Sequence, residues 1–303
     1  MSFKKLIILI IICLTFITGL NTVFAGEIYY PIGSSPLADE PPFSGETFYP
    51  EGDPVVVRDG VEFWYYNDGS GKLNLNLTLL SGQYMVTSPP VVSPDFNHIV
   101  YTEVYRYPDA NQVVSKCYYI PVVLPKTHDD GTSISMREYL ESYKVRHDQQ
   151  VRYEVLTVGT SGFYRNVFRS LTIVDWDYTA TRVLIKEHVG KMSKGLFGTI
   201  IWVYDVEYDK VFRVDTVRKA IVDYWMTEKD LDLTNYIWDI EILGWEEYSN
   251  NRFIVNAYLY PSKGVKKFLG AWKADIRGNT TTLLSLDQEE WSVARNGLIP
   301  QKY

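Results

Sequence analysis

The sequence predicts an all-β chain, an array of about four four-stranded antiparallel meanders with one or two short inserted helices. Three observations lead there. Short runs of β-branched and aromatic residues recur from Val55 to Leu286, turn-forming residues separate them, and similar turns and tryptophans return at regular spacing. The competing arrangement is an irregular β-sandwich.

The chain opens with Lys4 and Lys5 ahead of the uncharged apolar run Leu6 to Leu20, followed by Val23-Phe24-Ala25. That order predicts a secretory signal cut after Ala25 and a secreted or periplasmic protein. A retained membrane anchor is the alternative, although the run is shorter than the roughly 20 residues a spanning helix needs. Cys13 follows Ile12, where a lipoprotein signal wants a small residue. Cleavage leaves 278 residues at a formal charge of -9, because Lys4 and Lys5 leave the -7 of the full chain. So acidic a chain, with basic residues grouped only around Lys263 to Lys267, points away from nucleic acid and from an anionic membrane surface. Cys117 is then the single cysteine, which excludes an intrachain disulfide. Stability must come from packing, supplied by 24 Tyr, 13 Phe and 8 Trp.

Glu27 to Pro54, rich in Pro, Gly, Ser and acids, has no period and is expected to be an extended lead-in to a domain covering 55–303. Val61 to Tyr66, the turn Asn67 to Gly71 and the alternating Leu73, Leu75, Leu77 and Leu79 predict a hairpin. Strands follow at Tyr84 to Val92, His98 to Tyr105 and Lys116 to Val123. Between 126 and 148 the strand rhythm stops. Ser135 to Glu138 fits a capping box, and Met136, Tyr139, Leu140 and Tyr143 fall on one helical face. Val151 to Val158 resumes strand character.

A full meander is then expected over Leu171 to Trp176, Arg182 to His188, Thr199 to Val206 and Lys210 to Val214. Val217, Ala220, Ile221, Tyr224 and Trp225 have helical spacing behind Thr216, with a strand as the rival reading. A second meander follows at Tyr236 to Trp245, Arg252 to Tyr260, Lys267 to Ile276 and Thr281 to Leu286.

Three turns look alike: Val92-Ser93-Pro94-Asp95, Val174-Asp175-Trp176-Asp177 and Leu243-Gly244-Trp245-Glu246. The interval from Trp176 to Trp202 is 26 positions and that from Trp245 to Trp272 is 27, and Asp205 and Asp275 close those strands in like manner. On Ser93-Pro94-Asp95 with Ile99-Val100-Tyr101, and on Ile201-Trp202-Val203-Tyr204-Asp205-Val206, the chain resembles the WD40-like β-propeller repeats of the TolB type. The resemblance implies blades, with Pro94, Asp95, Trp176, Asp177, Trp202, Asp205, Trp245, Glu246, Trp272 and Asp275 as repeat-structural residues. It also implies a bacterial envelope protein that binds other proteins. Phe96, Tyr178 and Glu247 stand where those repeats carry glycine, and the spacing of about 70 to 80 residues exceeds that of regular blades. The hairpin at Val61 would be a partial blade, completed by strands from the lead-in or from the tail near Trp291, since an open array leaves unpaired edges.

No candidate catalytic set assembles in the sequence, so no catalytic, cofactor or metal residue is assigned. His128, Asp129, Asp130, His147 and Asp148 have metal-binding chemistry but no fixed convergence, and capping of a surface helix accounts for them. Asp175 and Asp177 alternate around Trp176 and would share a strand face suited to calcium, against the reading that Asp177 holds its turn. Glu246, Glu247 and Asp239 are possible paired acids for glycoside chemistry. Thr160-Ser161-Gly162 lacks a nucleophile elbow, and Cys117 has no neighbouring histidine. Asn76-Leu77-Thr78 and Asn279-Thr280-Thr281 match a glycosylation acceptor, relevant only in a eukaryotic secretory route. The expectation is an exported, non-enzymatic protein-binding or adaptor protein, with a protein or peptide partner and no cofactor. The alternative is a carbohydrate-binding or carbohydrate-active protein using exposed Trp and Tyr with paired acids.

Overall fold

A computed structural model describes residues 54–58, 61–66, 84–107, 112–122, 152–159, 167–191, 198–261 and 265–300. The signal segment, the lead-in, the leucines at 73–79 and the helix expected between 126 and 148 lie outside the described residues.

The described chain is all-β apart from one α-helix and a 3-10 turn, and its strands form three antiparallel sheets. Sheet 1 combines β1 (Val56–Arg58), β2 (Val61–Tyr65), β3 (Tyr84–Thr87), β4 (Val91–Val92), β5 (His98–Tyr107), β6 (Gln112–Pro121) and β7 (Tyr153–Gly159). Sheet 2 is the meander β8 (Val167–Trp176), β9 (Arg182–Lys191), β10 (Gly198–Asp205) and β11 (Lys210–Arg213). Helix α1 (Thr216–Lys229) leads to sheet 3, the meander β12 (Trp238–Trp245), β13 (Arg252–Leu259), β14 (Lys267–Asp275) and β15 (Thr281–Ser285). The last strand, β16 (Leu298–Pro300), returns to sheet 1 and lies between β2 and β4. Among the described residues the sheets close into neither a barrel nor a ring.

The sheets stack face to face with sheet 2 in the middle. One of its faces, with Ile173, Trp176, Val183, Ile185 and Tyr204, shares a core with Val91, Val100 and Cys117 of sheet 1. The other, with Val174, Leu184, Ile201 and Val203, shares a core with Ile240, Phe253 and Val255 of sheet 3 and with Val217 and Ile221 of α1. Coverage on both faces explains why Val183-Leu184-Ile185 is apolar without alternation and fully buried. The helical reading of Thr216 onward holds because Val217 and Ile221 share its buried face while Trp225 donates its indole N–H to the Leu269 carbonyl at 2.9 Å.

Among the described residues Val61–Tyr65 pairs with β1 along Val61 to Phe63 and with β16 along Phe63 to Tyr65. One expectation needs correction. Tyr84 to Val92 is not one strand, because Pro89 and Pro90 interrupt it between β3 and β4.

The register fixes the repeat. Val92 faces Ile99, Trp176 faces Val183 and Trp245 faces Phe253, each as the last pair of its ladder before the turn. Trp202 and Trp272 face Ile185 and Val255, three residues into β9 and β13, and Asp205 and Asp275 face the first residues, Arg182 and Arg252. The tryptophans and aspartates of sheets 2 and 3 are therefore equivalent pairs. In the first turn the equivalents of Trp176 and Asp177 are Val92 and Ser93, two residues before the expected Pro94 and Asp95.

Equivalent residues also repeat a bond between sheets. The Trp176 indole N–H donates to the Val91 carbonyl of sheet 1, and the Trp245 indole N–H donates to the Asp175 carbonyl of sheet 2, both at 3.1 Å. In each case the acceptor precedes by one residue the position equivalent to the donor. Replacing either tryptophan with Phe removes a buried donor and part of a ring fully packed between sheets. Trp176→Phe and Trp245→Phe are each expected to lower stability by about 2–4 kcal/mol. Urea unfolding checks this; unchanged midpoints would show that the indole bonds do not hold the stack.

Candidate functional site

The end of the stack that carries the β8–β9, β10–β11 and β12–β13 turns is the most elaborated part of the described molecule. Paired turns at this end are tied the same way in all three sheets: the N–H groups of Val122, Val206 and Ile276 donate to the carbonyls of Asn97, Thr181 and Asn251 at 2.7, 2.9 and 2.9 Å. Between sheets 2 and 3, the Arg182 guanidinium donates to the Asn250 carbonyl at 2.9 Å while its Nε donates to Asp205 at 2.8 Å.

The repeat-structural residues do different work within this frame. The buried carboxylate of Asp177 accepts the Thr181 and Arg182 N–H groups at 2.8 and 2.6 Å and so closes its turn. Ser93, its equivalent, does the same with the His98 N–H at 3.0 Å. Asp95 sits two residues further on, accepting from Asn97 at 3.0 and 2.9 Å. Burial opposes its charge, but the bonds from Ser93 and Asn97 outweigh it and keep the carboxyl below its ordinary range. Pro94, partly exposed, precedes it. Glu246 leaves the turn to Ser249, whose hydroxyl accepts the Arg252 N–H at 3.1 Å, and bridges Arg252 and Lys273 across the sheet at 2.6 and 3.0 Å. Asp275 caps the β14–β15 turn, accepting the Arg277 and Asn279 N–H groups at 2.8 and 3.2 Å and the Thr280 hydroxyl at 2.7 Å. Its carboxyl is held low because these donors outweigh the opposing effect of burial.

The turns stay tight without the expected glycines. Phe96 itself takes a left-handed φ of 63°, and Ala180 and Tyr248 take 58° and 55° in the other two. Tyr178 and Glu247 are thus not the left-handed positions. A left-handed non-glycine costs roughly 1 kcal/mol, which the side-chain and backbone bonds across each turn offset.

Sequence reasoning missed the role of the C-terminal segment at this end. From Ala294 to Leu298 it crosses all three sheets. Ala294 N–H donates to the Trp245 carbonyl at 2.8 Å, the Asn296 side-chain amide donates to the Trp176 carbonyl at 2.9 Å, and Gly297 accepts the Tyr66 N–H at 2.8 Å. Asp175 is its anchor. This fully buried carboxylate accepts the backbone N–H groups of Trp176, Asn296 and Gly297 at 2.8, 3.1 and 2.7 Å. Asp175 and Asp177 therefore do not converge on a common point, and among the described residues no group of three His, Cys, Asp or Glu side chains is placed to hold a metal ion. A segment without period offers no pattern to read beyond the strand-completing role expected of it.

The exposed aromatics of this end are tyrosines. Tyr178, Tyr208 and Tyr248, in three of its turns, and Tyr153, opening β7 beside them, are 48% to 86% exposed. The tryptophans do not share that exposure: Trp176, Trp238, Trp245 and Trp272 are buried, Trp64, Trp225 and Trp291 are half-buried, and half-buried Trp202 donates to the buried Glu187 at 2.7 Å. Asp239, held by Thr199 and Arg218, and Glu246 sit at opposite ends of β12. Seven residues at about 3.3 Å each place them roughly 23 Å apart, beyond the roughly 5–10 Å of a glycosidase pair. Cys117 is buried, and burial pushes its thiol far above the ordinary range. The His128, His147 and Thr160 to Gly162 candidates and Asn76 lie outside the described residues; Asn279 is exposed in its turn.

Compared with models of protein families and with curated proteins, the sequence matches none.

Burial pushes the Asp175 carboxyl from 3.8 up to about 7, against the pull of its three N–H donors and with the help of nearby Asp177. Because the folded carboxyl holds its proton more tightly than the unfolded one, its contribution to stability is complete below about pH 4 and is lost as pH rises towards 7. Asp175→Asn removes that titration. The unfolding free energy of the variant is expected to gain on that of the native protein between pH 5 and pH 8; a gap that does not change with pH would contradict the assignment.

Proposed function

We propose that the chain is an exported, non-enzymatic binding protein of propeller-like build, in which the three sheets are successive blades and the turn end receives a partner protein or peptide. One observation carries the reading: four exposed tyrosines gather at the end of the stack where turns, strap and sheet-to-sheet bonds meet. Tyrosine brings a large amphipathic contact area with few rotatable bonds, and it is enriched where proteins bind proteins. A rigid base beneath such side chains lowers the ordering cost of association. The blade reading is supported by the equivalent registers of sheets 2 and 3 and by the recurrence of the indole bond from sheet to sheet. The resemblance to TolB-type repeats and the signal-like N-terminus motivate the placement outside the cytoplasm. Four of the eight tryptophans are buried and the other four are only partly exposed, which favours the protein-binding reading over one that needs exposed tryptophan for sugar stacking.

The test is affinity capture from an envelope extract of the producing cell. Immobilised protein is expected to retain one or a few partners that a Tyr178→Ser, Tyr208→Ser, Tyr248→Ser triple variant of unchanged circular dichroism does not retain. No enrichment over a blank matrix, or equal retention by the variant, would overturn the proposal.

A further inference from the structure

The C-terminal strap contains the pair Asn296-Gly297, and the chemistry of that pair is governed by how the strap is docked. An asparagine followed by glycine is the sequence most prone to cyclise, because no side chain shields the glycine nitrogen. In that reaction the Gly297 nitrogen bonds to the Asn296 side-chain carbon, the carbon to Nδ2 bond breaks and ammonia leaves with the transferred proton. Water then opens the five-membered imide at either carbonyl, giving aspartate or isoaspartate. No oxidant or cofactor is required.

Docked, both reacting groups are tied to strand β8 instead of to each other. The Gly297 N–H donates to Asp175 Oδ1 at 2.7 Å, and the Asn296 Nδ2 donates to the Trp176 carbonyl at 2.9 Å. The glycine is also closely packed: a Cβ at 297 would lie 2.7 Å from Asp175 Oδ1 and 2.8 Å from Val91 Cγ1, so any larger residue would force those buried side chains to shift. The docking that favours glycine at 297 thus places the labile pair where bonds to β8 hold its reacting groups apart.

We propose that Asn296-Gly297 is a spontaneous modification site held in reserve by the strap: it is inert while docked, deamidates once the strap lifts from β8, and thereafter prevents the strap from returning. The irreversibility follows from the site. Deamidation replaces the amide that donates to the Trp176 carbonyl with a carboxylate that has no proton to give, next to the buried Asp175. An isoaspartate also adds a carbon to the backbone, so the N–H groups of residues 296 and 297 no longer reach both oxygens of Asp175 together. A lasting opening of the strap would change the turn end in which Tyr178 and Tyr248 stand, although the chemistry does not depend on what binds there.

The experiment follows the mass of the tail peptide in the full-length chain incubated at 37 °C and pH 8, native and in denaturing urea. A gain of about 1 Da at Asn296 reports the reaction. Protection is expected to slow it in the native chain by at least about tenfold, since reaction requires local opening. Equal rates would overturn the proposal. Aged native protein is then separated by charge, and the deamidated fraction is compared with unreacted protein and with Asn296→Asp by limited proteolysis. Cleavage between 286 and 300 is expected to be faster in the fraction and in the variant. A deamidated fraction whose tail resists protease as well as the unreacted protein would also overturn it.

Discussion

An indole N–H that reaches from the first strand of one sheet to the backbone of the sheet before it is the constraint on which the stack rests. Each such bond is worth only about 1 kcal/mol net. Its weight comes from where it sits, at the ladder end of β8 and again of β12, beside rings that are fully buried. Apolar faces are not directional, and stacked sheets that shared only aliphatic contacts would slide past one another with little penalty. A donor aimed at one particular carbonyl removes that freedom, because a slipped sheet leaves a buried N–H without a partner. Repeating the bond with equivalent residues gives sheets 1 and 2 the same local relation as sheets 2 and 3.

The C-terminal strap works on the same acceptor strands from the other side. It touches Trp245, Trp176, Asp175 and Tyr66 in succession and then pairs with β2 and β4. Chain ends far apart in sequence are thereby joined within sheet 1, which keeps β2 and β4 from becoming free edges. Its anchor is a buried carboxyl whose charge burial opposes, and three N–H donors from two segments offset part of that cost. The tyrosine-bearing turns project from this doubly tied end, so the proposed binding surface stands on the strands that strap and indole bonds hold together.

Much of the two meanders was legible because their chemistry is local. Period, β-branching and turn residues placed Arg182, Arg252 and Lys267 at the starts of their strands, and the 26- and 27-residue intervals between tryptophans correspond to equivalent register positions. Errors arose where identity is decided by a partner remote in sequence. Ser93-Pro94-Asp95 looks like an aspartate turn, yet ladder ends and the His98 bond make Ser93, not Asp95, the counterpart of Asp177. Val61 to Tyr65 shows the same dependence on remote chain: β16, more than two hundred residues away, fills one of its sides. Asp175 was read through its spacing from Asp177, a strand-face argument; its real partners are backbone groups at 296 and 297, which no side-chain pattern announces.

The strap and the indole bonds act on one shared element, the paired ends of β4, β8 and β12. Hydrogen exchange on the full-length chain, compared with a chain ended after Val293, checks this. In the shortened chain amide protection is expected to fall together at the turn-proximal ends of β4, β8 and β12, including Val92, Trp176 and Trp245. Loss of protection confined to β2 and β4, with sheets 2 and 3 unchanged, would contradict it.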